Sequence, residues 1–333
     1  MPQYFRALVV RKAADKKTFI RAIEKRTLSD LPEGDVLIRV HASSLNYHDG
    51  LSCIGNPGVT RRYPHTPGID AAGIVKDSRV SEFKSGDKVL VVSHDLGATI
   101  PGGFGEFIRV PAHWVIPLPE GLSLRESMIF GTAGLTAARS VQALINHGIK
   151  PDSGPIIVTG ASGGVGSLSV ALLSHLNYTV FASTGKADAA SFLKELGASE
   201  VVHRKDFEDQ TGRPYLKETW AGGVDSVGGN TLTSILRSCK EGAGVAATGM
   251  VSSSYFSMSI YPFILRGVSL YGIYAQGLAM PHRKFLWEKL ANQWRPRGLE
   301  TLAVDCKLDD LDQEIDIILA GGQRGRIVVN LLP

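Results

Sequence analysis

A glycine-rich turn and two cations beyond it are the features of this chain best suited to chemistry. Ile156-Ile157-Val158-Thr159 runs straight into Gly160-Ala161-Ser162-Gly163-Gly164-Val165-Gly166, a β-branched strand opening through glycines into a helix. In such a turn Gly163 lets the backbone approach a phosphate, Gly166 lets the helix pack closely on the strand, and the free N–H groups of the first helical turn face an anion. The pattern predicts a dinucleotide pyrophosphate site, although Ala161 stands where the usual fingerprint has its first Gly. An NAD-selective site carries an Asp or Glu about 20 residues further on, for the ribose 2'-hydroxyl. Here that strand ends Ser183-Thr184-Gly185-Lys186. A carboxylate is absent and an ammonium is present, and Arg204 follows the next strand with a guanidinium. Both cations suit a 2'-phosphate, so the expected cofactor is NADPH. The alternative for each is an ordinary solvated charge.

The elements that must hold these groups are written in the apolar spacing. After the turn, Val165, Leu168, Leu172 and Leu176 recur at helical intervals and predict one apolar face. A strand over 178–184, a helix over 187–196 closed by Gly197, and a strand over 199–202 continue the alternation. It runs on through 223–228, an amphipathic helix over 231–239, a strand over 244–248 and a last strand over 268–275. Residues 1 to about 120 have a different texture, with turn signals such as Pro32-Glu33-Gly34-Asp35, Asn56-Pro57-Gly58 and Ser85-Gly86-Asp87 between short strand-like runs. The clearest runs, 36–41, 73–76, 88–92 and 107–110, predict a small β-rich barrel, and the texture changes near Pro119-Glu120-Gly121. A helix over 283–294 and a strand over 325–329 close the chain.

With 333 residues and 44% hydrophobic content, the chain is long enough for two domains. No apolar run reaches the ~18 residues of a membrane span, and residues 1–17 lack the apolar stretch of a signal peptide, so the cytoplasm is expected. Three cysteines, Cys53, Cys239 and Cys306, lie far apart and suggest neither a disulfide framework nor a Cys-rich zinc site. The formal charge of +4 is small and its basic residues are interspersed with acids. That favours small anionic ligands over nucleic acid.

Further motifs occur in order: Leu31-Pro32-Glu33-Gly34-Asp35-Val36, Ser43-Ser44-Leu45-Asn46-Tyr47, Pro67-Gly68-Ile69-Asp70, Gly131-Thr132-Ala133-Gly134-Leu135-Thr136-Ala137 and Pro262-Phe263-Ile264-Leu265-Arg266. Together with the glycine turn they resemble the medium-chain dehydrogenase/reductase superfamily, in its zinc-independent, quinone-oxidoreductase-like branch with the acryloyl-CoA reductases and YhdH/YhfP proteins. The resemblance implies an α/β architecture: a doubly wound Rossmann parallel sheet inserted in a chaperonin-10-like β-barrel catalytic domain, with the substrate cleft between them. The expected division is 1–121 for the N-terminal part of the barrel, 122–268 for the NADP-binding domain, and 269–333 for the last Rossmann strand and the return to the barrel. Positions matching the relatives' NADPH contacts are Tyr47, Ser162, Gly163, Gly164, Val165, Thr184, Gly185, Lys186 and Arg204, with backbone contacts near Met250 and Ile264. Arg326, in the Gly-Arg-hydrophobic ending, either approaches the cofactor or forms a structural ion pair. Relatives are often homodimers joined at Rossmann sheet edges, for which 268–275 is the expected edge strand here, with a monomer as the alternative.

Zinc-dependent members carry a catalytic-loop Cys, a Gly-His-Glu run and a four-Cys lobe, whereas this chain reads Gly68-Ile69-Asp70. His41, His48, His65 and His94 show no ligand spacing, so no metal is expected. Without a Lewis acid, reduction of an activated double bond fits better than alcohol oxidation. Hydride adds at the β-carbon, charge develops on the carbonyl oxygen, and a proton joins the α-carbon. The expected substrate is acryloyl-CoA or a related small 2-enoyl-CoA. Asn46, Tyr47 and Asp49 fall on the loop that resembles the family's catalytic loop: Tyr47 to hold the nicotinamide or donate a proton, with water as the competing donor, Asn46 to hydrogen-bond substrate, and Asp49 to orient its neighbours. Relatives read Asn-Tyr-Lys-Asp there, and His48 replaces the Lys. Arg61 and Arg62 are candidates for CoA phosphates or simply an exposed basic loop. An NADPH:quinone oxidoreductase and a non-catalytic NADPH-binding protein are the alternatives.

Overall fold

The structure, a computed structural model, describes residues 4–15 and 17–332. Its chain divides into two compact units, one of residues 1–132, 276–291 and 299–333, the other of 133–275 and 292–298. The division falls inside a long helix rather than at Pro119-Glu120-Gly121.

The first unit begins with the antiparallel hairpin β1 (Tyr4–Lys12) and β2 (Phe19–Thr27). There follow β3 (Val36–Leu45), helix α1 (Tyr47–Cys53), β4 (Asp70–Ser78), β5 (Lys88–Val92), β6 (Phe107–Val110), β7 (Ile116–Pro117) and helix α2 (Leu124–Asn146). Strand β3 is the spine of the sheet, pairing with β4 along one edge and with β6 over Val36–Arg39. The side-chain period of two sorts its residues between two cores. Val36, Ile38 and Val40 enter the large one, while Leu37 joins Phe5, Ala7, Val9, Leu31 and Phe107 in the small one.

The second unit is a six-stranded sheet of order β10-β9-β8-β11-β12-β13. Its strands are β8 (Ile156–Thr159), β9 (Val180–Thr184), β10 (Glu200–His203), β11 (Trp220–Asp225), β12 (Cys239–Ala247) and β13 (Ser269–Gly272), all parallel. In sequence terms this is the order 3-2-1-4-5-6 of a Rossmann sheet. Strands β8 and β11 are wholly buried, as parallel strands covered on both faces must be. Helices α3 (Gly164–His175), α4 (Ala190–Glu195), α5 (Gly229–Arg237) and α6 (Tyr261–Leu265) belong to the same unit. Helix α3 is buried on more than the predicted face, because Gly166, Ser167, Ser169 and Ala171 are small enough to let neighbours approach. Strand β13 is shorter than the predicted 268–275.

After α7 (Met280–Ala291), the chain adds β14 (Ala303–Lys307), α8 (Leu311–Leu319) and β15 (Arg326–Asn330) to the first unit. Strand β15 pairs antiparallel with the end of β3, Ile327 opposite Leu45, so the C-terminal segment does return to the barrel. Leu311, Ile315 and Val329 fill the same large core, which also holds Cys53 and Cys306; Cys239 lies in the core of the second unit. All three thiols are unpaired and buried. One helix among the described residues, α2, is long and apolar enough to cross a membrane, contrary to the expectation of no such run. Its apolar window is 72% buried in the protein and its backbone breaks at Gly131, as in a core helix.

Candidate active site

In an open parallel sheet of this order, ligands bind where the carboxyl ends of the first and fourth strands diverge. Those ends are Thr159 of β8 and Asp225 of β11. The Thr159 hydroxyl donates to Asp225 Oδ1 at 2.5 Å, and the Gly228 amide donates to Oδ2 at 2.8 Å. Burial pushes Asp225 up, and these two donors oppose it. Gly160 turns the chain at φ +57°, and Gly163 caps α3. A Cβ on Gly166 would collide with the Gly160 carbonyl and the Ala161 backbone, so this is the glycine that lets the helix start lie against the strand end. Gly163 is less constrained than expected, since its Cβ would meet only Gly160 O at 3.3 Å.

At the neighbouring strand end the Ser162 and Thr184 hydroxyls lie 3.0 Å apart, and the Lys186 amide donates to Thr184 Oγ1 at 3.2 Å. The Arg204 side chain lies across Gly185. A Cβ there would sit 2.7 Å from Arg204 Nε and 3.0 Å from its Cζ. Ser162, Thr184, Gly185, Lys186 and Arg204 therefore form one cluster, with a guanidinium already placed at the strand end. Met250 and Ile264, in the same unit, are 68% and 65% exposed, so each has surface for a ligand.

In the first unit, Asn46 and Tyr47 do not lie on a loop. Asn46 caps α1, Tyr47 is its first residue, and the Asp49 carboxylate reaches back to accept from the Asn46 backbone N–H at 2.9 Å. That N-cap-to-N3 return is half of a capping box. Asp49 Oδ1 also accepts from the Ile69 amide at 2.9 Å. Burial, then the nearby Asp70 charge, pushes Asp49 up to about 7.

Asp70, at the start of β4 and fully buried, is the centre of this region. Its Oδ2 accepts from Ser44 Oγ at 2.6 Å and Asn46 Nδ2 at 2.8 Å. Its Oδ1 accepts from the Thr132 hydroxyl at 2.6 Å, and the Thr132 amide reaches both oxygens at 3.0 Å. Gly131, at φ 50° and ψ −152°, breaks α2 and aims Thr132 at the carboxylate. Ser93 extends the chain of hydroxyls, 2.8 Å from Thr132 Oγ1. Arg326 is 2% exposed, with Nη2 4.0 Å from Asp70 Oδ2. It donates to the carbonyls of Ile129 and Leu45 and, at 3.2 Å, to Asn46 Oδ1. Of the two readings for Arg326, the ion-paired one matches this burial; direct approach to a cofactor does not.

The Asn46 amide is consumed by the same network. Its two N–H hydrogens already face three acceptors, Asp70 Oδ2, Ser44 O at 3.2 Å and Asp49 Oδ2 at 3.3 Å. No hydrogen remains for a substrate, which corrects the expected donor role. Tyr47 is different: it is 49% exposed, and among the described residues nothing ties its phenol. Burial pulls the His48 imidazole below its usual range and so disfavours its cationic form, although the nearby Asp70 charge opposes this. Arg61 and Arg62 are both exposed, and Arg61 Nε donates to Pro57 O at 3.2 Å. Among the described residues no group of three or more His, Cys, Asp or Glu is arranged to hold a metal ion.

Two family models match the chain, an alcohol dehydrogenase GroES-like domain over residues 32–120 and a zinc-binding dehydrogenase domain over 164–291. Acrylyl-CoA reductase AcuI of Ruegeria pomeroyi is 42% identical over 98% of this chain and 99% of its own. The chain belongs to the medium-chain dehydrogenase/reductase family. As such it is an oxidoreductase with a GroES-like barrel and a Rossmann domain. Among solved members of the family, the YhdH oxidoreductase of Salmonella enterica in complex with NADP superposes with a TM-score of 0.94 at 37% identity, over 98% of this chain and all of that one. YhfP of Bacillus subtilis with NAD bound gives 0.95 at 41%, over 99% and 100%. YhfP is named a putative quinone oxidoreductase.

Sequence reasoning about this dehydrogenase/reductase missed Asp70, Thr132, Ser44 and Ser93. The signal for Asp70 was present: Asp70-Ala71-Ala72-Gly73-Ile74-Val75 is a carboxylate opening an otherwise apolar strand. A charge buried there requires donors, and reading the position only as a missing zinc ligand overlooked them.

Proposed function

We propose that this protein is an NADPH-dependent reductase of activated carbon–carbon double bonds, acting on acryloyl-CoA or a related small 2-enoyl-CoA. The observation that carries the reading is the full-length similarity to an acrylyl-CoA reductase, joined to a strand end that offers Lys186 and Arg204 and no carboxylate. The fit of the dinucleotide rests on the Gly160–Gly166 turn, the Ser162–Thr184 hydroxyl pair and the guanidinium lying over Gly185. Ser162, Gly163, Gly164 and Val165 would hold the pyrophosphate, Thr184, Gly185, Lys186 and Arg204 the adenosine ribose phosphate, and Met250 and Ile264 would contact the rest of the dinucleotide through their backbone. When bound, NADPH supplies the hydride.

The residues of the chain supply position and protons. Tyr47 offers an untethered phenol for holding the cofactor or donating a proton, while Asn46 and Asp49 act by fixing its turn. The reading needs no zinc. Ile69 stands where the zinc-dependent members' Gly-His-Glu run has its His, and the oxygens of the neighbouring Asp70 are taken up by Ser44, Asn46 and Thr132. Arg61 and Arg62 are proposed contacts for CoA phosphates. Three buried thiols fit a reducing compartment such as the cytoplasm. A homodimer through the β13 edge is supported by the exposed Ile264, Leu265 and Tyr274 near it.

The test is turnover of acryloyl-CoA, crotonyl-CoA and simple quinones with NADPH and with NADH. CoA-ester reduction that is faster with NADPH is expected, and Tyr47→Phe should lower its kcat. A second reading, NADPH:quinone oxidoreductase, is favoured by the YhfP similarity and would be supported by quinone turnover without CoA-ester reduction. Saturable NADPH binding with no oxidation across the panel would instead support a non-catalytic binder.

A further inference from the structure

Asn46 and Tyr47 are held from outside their own helix. We propose that Asp70 is a positioning residue of the reductase site: its carboxylate fixes the Asn46 amide and, through it, the turn that presents Tyr47. The inference rests on the reductase reading for its kinetics, but its geometry is independent of it.

The reasoning is a count of hydrogens. Ser44 Oγ, Asn46 Nδ2, the Thr132 amide and the Thr132 hydroxyl all donate to Asp70. An ionised carboxylate accepts everywhere and can serve all of them. An alanine in the same place accepts from none of them, whereas an asparagine turned with its oxygen toward Asn46 would keep that bond, because the Thr132 amide reaches both oxygens. The hydroxyls can rotate to other partners, but Asn46 can only flip. Flipping would bring its NH2 against Arg326 Nη1, which now donates to Asn46 Oδ1 at 3.2 Å. Asp70 and Arg326 thus lock the Asn46 amide from opposite ends, in surroundings where both are buried. Three segments of the chain converge on this network: the β3–α1 junction with Ser44 and Asn46, α2 just past its break with Thr132, and β15 with Arg326.

The charges facing Asp49 give a readout that simple destabilisation would not move. Asp70 and Arg326 are the charged groups on its network side. On the side of Cys53 lie Arg21, with Asp312 and Asp316 from α8. Asp70→Ala removes the negative charge that raises Asp49, so the Asp49 titration should move down from about 7.

The experiment compares the full-length parent with Asp70→Ala, which removes every acceptor at that position. Expected are a kcat about 10- to 100-fold lower, as for a misplaced reacting group, and an NADPH dissociation constant within about two-fold of the parent. The Asp49 titration, followed by carbon NMR of labelled aspartate, should move to lower pH, and the Asn46 side-chain amide should lose its protection from exchange. Unchanged kcat, an unmoved Asp49 titration, or an Asn46 amide as protected as in the parent would each overturn the proposal. If Asp70→Ala does not fold, Ser44→Ala and Thr132→Val take its place. Each removes one donor, and each should lower kcat without weakening NADPH binding; unchanged kcat in both would overturn the proposal. If the parent itself reduces nothing in the panel, the reductase reading fails, and the NMR readouts decide whether Asp70 fixes Asn46.

Discussion

Gly185→Ala should change which nicotinamide the enzyme prefers while leaving its fold intact. The added Cβ would lie 2.7 Å from Arg204 Nε, 2.8 Å from Cδ and 3.0 Å from Cζ. All three atoms belong to the outer part of a flexible, exposed side chain, so the clash is relieved by moving the guanidinium, and the stability cost should stay within ~0.5 kcal/mol. The displacement removes a pre-placed cation from the proposed 2'-phosphate site. One charge-assisted hydrogen bond is worth about 1.5–3 kcal/mol. At about 1.4 kcal/mol per decade, that is roughly 10- to 150-fold in the ratio of kcat/KM for NADPH over NADH. Steady-state kinetics with both cofactors, at one substrate and one ionic strength, measure the ratio directly. A parallel fall for both cofactors would mean that the added methyl disturbs the shared pyrophosphate cradle. An unchanged ratio would mean that Arg204 does not touch the phosphate. Either result refutes the reasoning.

Lys186→Ala should raise the NADPH KM roughly 3- to 10-fold more than the NADH KM, read in the same assay. Gly131→Ala places a methyl at a left-handed φ of 50° and 2.5 Å from both Asp70 Oδ2 and Ser44 Oγ. Urea titration should show a loss of about 2–4 kcal/mol, and a variant as stable as the parent would contradict the described break in α2. Buried Asp49 and half-buried His94 give opposite pH slopes. Burial pushes Asp49 up to about 7, so its contribution to stability is fullest below its ordinary value and is lost as pH rises through 7. His94, stacked on Trp114, is pulled down to about 4. Its contribution is present above its ordinary value of 6.5 and is lost as pH falls toward 4. Relative to the parent between pH 4 and 6.5, urea midpoints of His94→Phe should decline more steeply with rising pH, and those of Asp49→Asn should climb. Changes of the same sign in both variants would contradict these assignments.

Where the sequence was informative, burial and periodicity pointed the same way. Ile156 to Thr159 read as a buried strand because nothing polar interrupts it, and Val36, Ile38 and Val40 alternate as a half-buried strand must. Strand β2 escaped notice because Arg21, Glu24, Lys25 and Arg26 break any apolar alternation, and pairing with β1 makes it a strand. Helix α1 falls where the motif resemblance implies a loop, yet Asn46 and Asp49 stand at the N-cap and N3 spacing that signals a helix start. The juxtaposition of Ser162, Thr184, Gly185 and Lys186 was legible since they sit at strand ends fixed by the Rossmann order. The Asp70 network was not. Ser44, Asp70, Thr132 and Arg326 are scattered from residue 44 to 326, and only the tertiary fold joins them.

Burial pushes the Cys239 and Cys306 thiols up to about 12 and Cys53 higher still. A thiol that never ionises in the native state does not react with alkylating reagents. Iodoacetamide modification therefore becomes a clock for transient opening. Cys239 times the nucleotide-binding half, and Cys53 and Cys306 time the barrel, so peptide mapping of the alkylated sites would show whether the two halves breathe together or apart.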